Sequence, residues 1–383
     1  MSKEKIVIIG ANSFQNPLIL KAKEMGYETH VFAWQDGSIG ERTADYFYPI
    51  SIVEKDQILE ECKRIQPKAV ATIASDLANI TVQYLAEKLG LPCNSAESIM
   101  ISTNKYEMRK AFKRGGVSTP GFVKISENDD YMKMTEDFAF PVIVKPTDRS
   151  GSRGITKVYN AEDLKMAVEA SIENSFEKAA IIEEFIEGEE YSFECISYNG
   201  NHHTLAITKK YTTGAPHFIE TGHIVPADVS AEMFSKIEKE IHLALDALEI
   251  RYGASHSEFK ITPNGDVKII EIGSRMGGDC IGSHLVLLST GYNFVKMVLD
   301  VALGKEPEFV RERKPAYAGI RFVFSQEDLD VLETLKKECE EAICEISEME
   351  NVGEHNVVDS SSRFGYYIFT MDSREKLKEI IER

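Results

Sequence analysis

Glu258 and Glu271 are the residues of this chain whose placement most directly suggests chemistry. Between them lies Asn264-Gly265, flanked by two β-prone runs, which is a strong hairpin signal. Centring the turn on that pair sets Pro263 against Asp266, so opposed residues have numbers summing to 529 and Glu258 faces Glu271. Cross-strand Cβ atoms lie about 5 Å apart, and like charges so placed repel. A cation between them relieves the repulsion. Paired carboxylates without a thiol or imidazole cluster favour a hard ion such as Mg2+ or Mn2+. Pro263 has no N–H to donate, which disfavours a two-residue turn. A four-residue loop over 263–266 keeps the same sum, whereas a three-residue loop shifts the pairing by one and sends one Glu to the other face. The competing reading is two solvated acids. It is weakened by Phe259, Ile269, Ile270 and Ile272, which make both strands apolar enough to be largely buried.

A second candidate is the loop that follows the apolar run 140–145. Lys145 ends the run, and Ser150, Gly151, Ser152, Arg153 and Gly154 follow within nine residues. Glycines let backbone N–H groups approach an anion, and a lysine at a strand end supplies a point charge. Arg149 and Arg153 add planar donors suited to phosphate. A solvated surface loop is the competing reading. No Gly-Lys-Ser/Thr opens a helix here, so this is not a Walker A loop. The acidic stretch Glu183-Glu184-Phe185-Ile186 to Glu190 falls at a junction between patterns, where a hinge can offer backbone groups to a base and a carboxylate to ribose hydroxyls.

Four segments position these residues. Residues 1–112 read as a parallel α/β unit, opening with strand 6–9, helix 16–25 and strand 28–33. The first turn is Gly-Ala-Asn-Ser-Phe-Gln rather than G-x-G-x-x-G, so a dinucleotide site is weakly supported. Residues 113–187 form a small α+β unit. Residues 188–305 turn antiparallel, carry the hairpin, and are expected to end in a helix over 277–303. Residues 306–383 read as strand, helix, strand, helix. The fold class is therefore α/β and α+β, multidomain.

The net charge of −18 and the lack of a basic run argue against nucleic acid as a partner. Six cysteines are scattered without a C-x-x-C, favouring reduced thiols over zinc or disulfides. No signal-peptide pattern or bilayer-length apolar stretch is present, which makes the cytoplasm the expected location.

The order of these parts resembles the ATP-grasp superfamily over essentially the whole chain: an N-terminal parallel domain, a small lid and a metal-bearing antiparallel domain. The resemblance implies that Lys105 and Lys145 are the two ATP lysines. It assigns Glu183, Glu184, Phe185 and Ile186 to the adenine-side hinge, Glu190 to ribose, and Glu258 and Glu271 to the metal. Within the superfamily the chain is similar to carboxylate–amine ligases of the L-amino acid ligase type. The carriers are the run from Glu271 to Gly278, the strand from Glu220 through His223 to Pro226, and the segment around Arg363. Many relatives place Asn two residues after the second metal Glu; Gly273 stands here, so one metal oxygen ligand is missing.

The implied reaction is attack of a substrate carboxylate on the γ-phosphate of ATP, then amide formation from the acyl phosphate. Arg275 is expected at the carboxylate or developing oxyanion, with a salt bridge at a helix start as its bland alternative. His223 is expected to meet the incoming amine. His256 shares a face with Glu258 by strand alternation, and Ser75-Asp76 lies at the sheet's carboxyl end, where α/β sheets bind ligands. The implied cofactors are ATP and Mg2+ or Mn2+. The implied partners are small carboxylates and amines, with a homodimer as the commonest assembly and no nucleic acid or membrane. Two alternatives stay open: a different acceptor, such as bicarbonate or a ribonucleotide amine, and a non-catalytic nucleotide-binding protein.

Overall fold

A computed structural model describes residues 3–151, 153–215 and 218–383. Ser152 of the Gly-bearing loop lies outside the described residues. The short apolar strands β1 (Lys5–Ile9), β2 (Glu28–Phe32), β3 (Tyr46–Tyr48) and β4 (Ala69–Ala71) form a parallel sheet in the order β3-β2-β1-β4. Runs such as Ile6–Ile9 are buried, as a sheet covered on both faces requires.

The lid sheet contains β5 (Phe122–Ser126), β6 (Val142–Pro146), β7 (Thr156–Val158) and β8 (Ala179–Glu184), ordered β5-β8-β6-β7. The third sheet gathers β9 (Glu189–Tyr198), β10 (Asn201–Thr212), β11 (Glu220–Val225), β12 (Gly253–Ile261), β13 (Val267–Gly273), β14 (Tyr317–Phe322), β15 (Ile343–Ile346) and β16 (Tyr366–Met371). Its eight strands run β13-β12-β9-β10-β11-β14-β16-β15.

Packing crosses the sequence boundaries expected between units. The strands of 306–383 extend the central sheet, because β14 pairs with β11. Helix Lys105–Gly115 packs on helix Ala231–Ala247 beneath that sheet, burying Met108, Ala111 and Phe112 with Ile241, Ala244 and Leu245. Helix Phe294–Ala302 buries Phe294, Val295 and Leu299 in the core of the parallel sheet, with Ile6, Ile8 and Leu18. One compact body therefore holds the site from several directions.

The helix expected over 277–303 is broken. A wide turn at Ile281–Leu285, a short helix Val286–Thr290 and helix Phe294–Ala302 replace it. Gly291, at φ 82, ends the second piece, and Asp279 and Cys280 precede the first at φ 51 and 58. Left-handed geometry at two consecutive non-glycine residues costs energy and persists only where surroundings enforce it. At Asp279 the enforcing contacts are side-chain bonds to the site described next.

Candidate active site

The hairpin pairs Glu258 with Glu271, but by a different route from the one expected. The loop is Pro263-Asn264-Gly265, three residues: Thr262 N–H donates to the Asp266 carbonyl at 2.9 Å, and Gly265 takes φ 78. Ile261, Lys260 and Phe259 therefore pair with Val267, Lys268 and Ile269, one residue off the expected register. A β-bulge at Ile270 restores it, so that Glu258 meets Glu271 and His256 meets Gly273. The bulge also turns two successive carbonyls the same way. Arg109 Nη1 donates to the Ile269 carbonyl at 2.7 Å and Nη2 to the Ile270 carbonyl at 2.8 Å.

Both carboxylates line a cavity of about 290 Å3 between the lid and the central sheet. Lys105 reaches it because the Asn104 side chain caps its helix, accepting from Tyr106 and Glu107 N–H at 3.1 Å each. Lys105 Nζ lies 3.0 Å from Glu271 Oε2 and donates to the Arg149 carbonyl at 2.7 Å, tying sheet to lid loop. Lys145 enters from β6, its Nζ 2.7 Å from Glu183 Oε2. Arg109 completes a buried triad, its Nε 2.5 Å from Glu183 Oε1. Burial opposes ionisation of Glu183, but Arg109 and Lys145 outweigh it and hold the carboxyl at about 2. Burial lowers the pKa of Lys145 despite the attraction of Glu183.

Ser150, Gly151, Glu184, Phe185, Ile186 and Glu190 also line the cavity. Arg153 lines an adjoining cleft instead. Gly154 lines neither: at φ 71 it packs against Pro146, and its carbonyl accepts from Ser171 Oγ at 2.8 Å. Glu183 faces Arg109 and Lys145, while Glu184 Oε2 accepts from Gly121 N–H at 2.8 Å, steadying the hinge.

Sequence reasoning missed Lys210. Its buried ammonium lies 2.6 Å from Glu258 Oε1, 3.1 Å from Glu190 Oε1 and 3.6 Å from Glu220 Oε1. Burial alone would lower its pKa, but these carboxylates raise it well above the ordinary range. Strand alternation could have placed Lys210 inward, but its acidic partners sit on three other strands.

Arg275 pairs with Asp76 of the parallel domain: Nη2 donates to Oδ2 at 3.0 Å and Nε lies 2.9 Å from Oδ1. Both the ion pair and the cavity-lining position weighed for Arg275 are present. His223 is fully buried, with Nε2 3.4 Å from Asp279 Oδ2. Arg363 grips the same carboxylate through Nη1 at 3.1 Å and Nη2 at 2.5 Å. Burial works against the charge on Asp279, but Arg363 and His223 drive its pKa strongly down. His256 lies 3.4 Å from Glu258 Oε1 through Nε2 and 2.6 Å from Glu194 Oε1 through Nδ1. Burial favours the neutral ring, but Glu194 and Glu258 raise its pKa to about 9.

Residues 138–283 match the family model of the ATP-grasp domain. The chain carries an ATP-grasp domain. Its fold is that of an L-amino acid ligase from Bacillus licheniformis, with a TM-score of 0.85 at 24% identity, covering 100% of this chain and 97% of that one. An ADP complex of N5-carboxyaminoimidazole synthetase from Staphylococcus aureus superimposes with a TM-score of 0.79 at 17% identity, covering 100% and 98%. Among curated proteins, an alanine–anticapsin ligase of Bacillus subtilis (strain 168) is 25% identical over 297 residues, 71% of this chain. That match spans 62% of the ligase, less than two thirds of its length. The ATP-grasp domain thus sits in a chain that resembles carboxylate–amine ligases of the L-amino acid ligase type. Among the described residues, no helix is long and apolar enough to cross a membrane.

Proposed function

We propose that the protein is an ATP-dependent carboxylate–amine ligase that forms an amide or peptide bond through an acyl phosphate, with an amino acid or similar small acid as substrate. One observation carries this reading: Glu258 and Glu271 face each other in a cavity that also receives Lys105, Lys145 and Lys210. Paired acids ringed by lysines suit a polyphosphate with its divalent ion. ATP is the substrate that fits. The hinge from Glu183 to Ile186 borders the adenine end and Glu190 the ribose. Lys105 and Lys145 neutralise phosphate oxygens, and the lid loop covers them at Ser150 and Gly151.

The donor set also fits Mg2+ or Mn2+. Among the described residues no group of three or more His, Cys, Asp or Glu side chains could hold a metal by itself. Mg2+ typically takes one or two carboxylates plus phosphate and water oxygens. Glu258 and Glu271 would hold it, and it would supply charge neutralisation at the β- and γ-phosphates. The ammonium groups of Lys210 and Lys105, at 2.6 and 3.0 Å, already neutralise these acids. Arg275, fixed by Asp76, orients the substrate carboxylate. His223, which lines the same cavity, is the residue assigned to the incoming amine. The lid excludes water from the acyl phosphate.

The test is phosphate release from Mg-ATP with the twenty L-amino acids, singly and in pairs, and Glu271→Ala as control. Pair-dependent release that the variant lacks establishes the ligase and identifies its substrates. Silence across the panel, with ATP still raising the melting temperature, overturns the amino acid assignment and points to larger acids and amines or another acceptor.

A further inference from the structure

Glu194 lies in the middle of β9 and is fully buried. Its Oε1 accepts from Ser192 Oγ at 3.0 Å and lies 2.6 Å from His256 Nδ1; among the described residues its Oε2 has no partner. The basic side chain against it is the ring of His256. The register makes this a designed contact, since His256 of β12 stands directly opposite Glu194, and Glu258 stands opposite Ser192. All four side chains share one face of adjoining strands. Space above the pair is reserved: a Cβ at Gly277 would lie 2.6 Å from His256 Nδ1 and 3.1 Å from Glu194 Oε2. The glycine after Arg275-Met276 is therefore explained by this pair rather than by the phosphates.

A carboxylate buried without a cation is costly. With Glu194 on one nitrogen, the other nitrogen of His256 lies 3.4 Å from Glu258 Oε1. Lys210 reaches that same oxygen. Both contacts fall on Oε1, leaving Oε2 to coordinate.

We propose that Glu194 and His256 are positioning residues for the metal site, orienting Glu258 so that Oε2 meets the divalent ion. The inference rests on the nucleotide–metal reading given above. Partners that orient a metal ligand from behind typically change metal affinity about 10- to 100-fold when removed.

Mn2+ binding to the ADP-loaded protein, read by electron paramagnetic resonance, tests this in Glu194→Gln, His256→Gln and Glu271→Ala, with metal-free ADP binding as the measure of an intact fold. The expected result is at least tenfold weaker Mn2+ binding in both Gln variants, with metal-free ADP affinity within about twofold of the parent. Glu194→Gln keeps the shape of the buried pair, so it remains readable should His256→Gln not fold. Unchanged Mn2+ affinity in a folded Gln variant, with Glu271→Ala weakened, overturns the positioning role alone. Unchanged affinity in Glu271→Ala as well overturns the metal assignment and this inference with it.

Discussion

Arg275 and Asp76 stand 199 residues apart in the chain and share a two-point ion pair at 2.9 and 3.0 Å. That pair accounts for Gly273, the position where many ATP-grasp proteins carry Asn. A Cβ at 273 would lie 3.0 Å from Asp76 Oδ1 and 3.1 Å from Arg275 Cζ. A side chain at 273 would press on the two side chains that clamp the parallel domain to the site.

Gly273→Asn therefore damages the site instead of completing it. The expected outcome is a fall in kcat/KM of about tenfold or more, equivalent to about 1.4 kcal/mol of transition-state stabilisation. A Mg2+ titration of ATP turnover checks it; tighter Mg2+ activation with undiminished turnover would count against the clamp.

Lys210 faces Glu190, Glu220 and Glu258. Removing one partner from a buried charge cluster costs about 3 kcal/mol or more. Lys210→Met is expected to lose stability on that scale in metal-free buffer, and less when Mg-ADP is present. Urea unfolding with and without Mg-ADP measures both; equal losses in the two conditions would separate Lys210 from the ligand site.

Glu183 gives a pH signature. Its carboxyl is held at about 2 against an ordinary 4.5. A depressed acid contributes stability that is complete above the ordinary value and is lost as pH falls toward 2. The loss is on the order of 3 kcal/mol across that window. Glu183→Gln should be less stable at pH 7, with Arg109 and Lys145 unbalanced, and should show a shallower fall between pH 4.5 and 2. Urea midpoints across that range decide it.

Arg363 reaches the site from the loop that precedes β16 and fixes Asp279. Its loss removes a charge-assisted bond worth about 1.5–3 kcal/mol. Arg363→Met is expected to raise KM for the amine substrate about tenfold or more while KM for ATP holds within about twofold. A matching rise in both constants would mean a general distortion.

The legible features of the sequence were local. Asn264-Gly265 located the hairpin, and the facing carboxylates follow from it, although a three-residue loop and a compensating bulge produce the pairing. Strand alternation placed His256 with Glu258, and they lie 3.4 Å apart. What escaped depends on long-range closure. No spacing rule connects Lys210 to acids on three other strands, or Arg109 to the bulged carbonyls. The reading of 277–303 as one helix hid the left-handed turn at Asp279, whose justification is an arginine 84 residues downstream. The joining of the C-terminal strands to the central sheet rests on β11–β14 pairing, which local pattern does not encode.

The bulge at Ile270 sets a parity rule for this stretch of chain. Loop and bulge each displace the register by one residue, and together they return Glu271 to the face of Glu258. A single insertion or deletion between the two acids must be answered by another, or every side chain beyond it changes face. Length variation here is thus expected in compensating pairs, and a lone change, however polar and exposed its position in the turn, would dismantle the cavity from a distance.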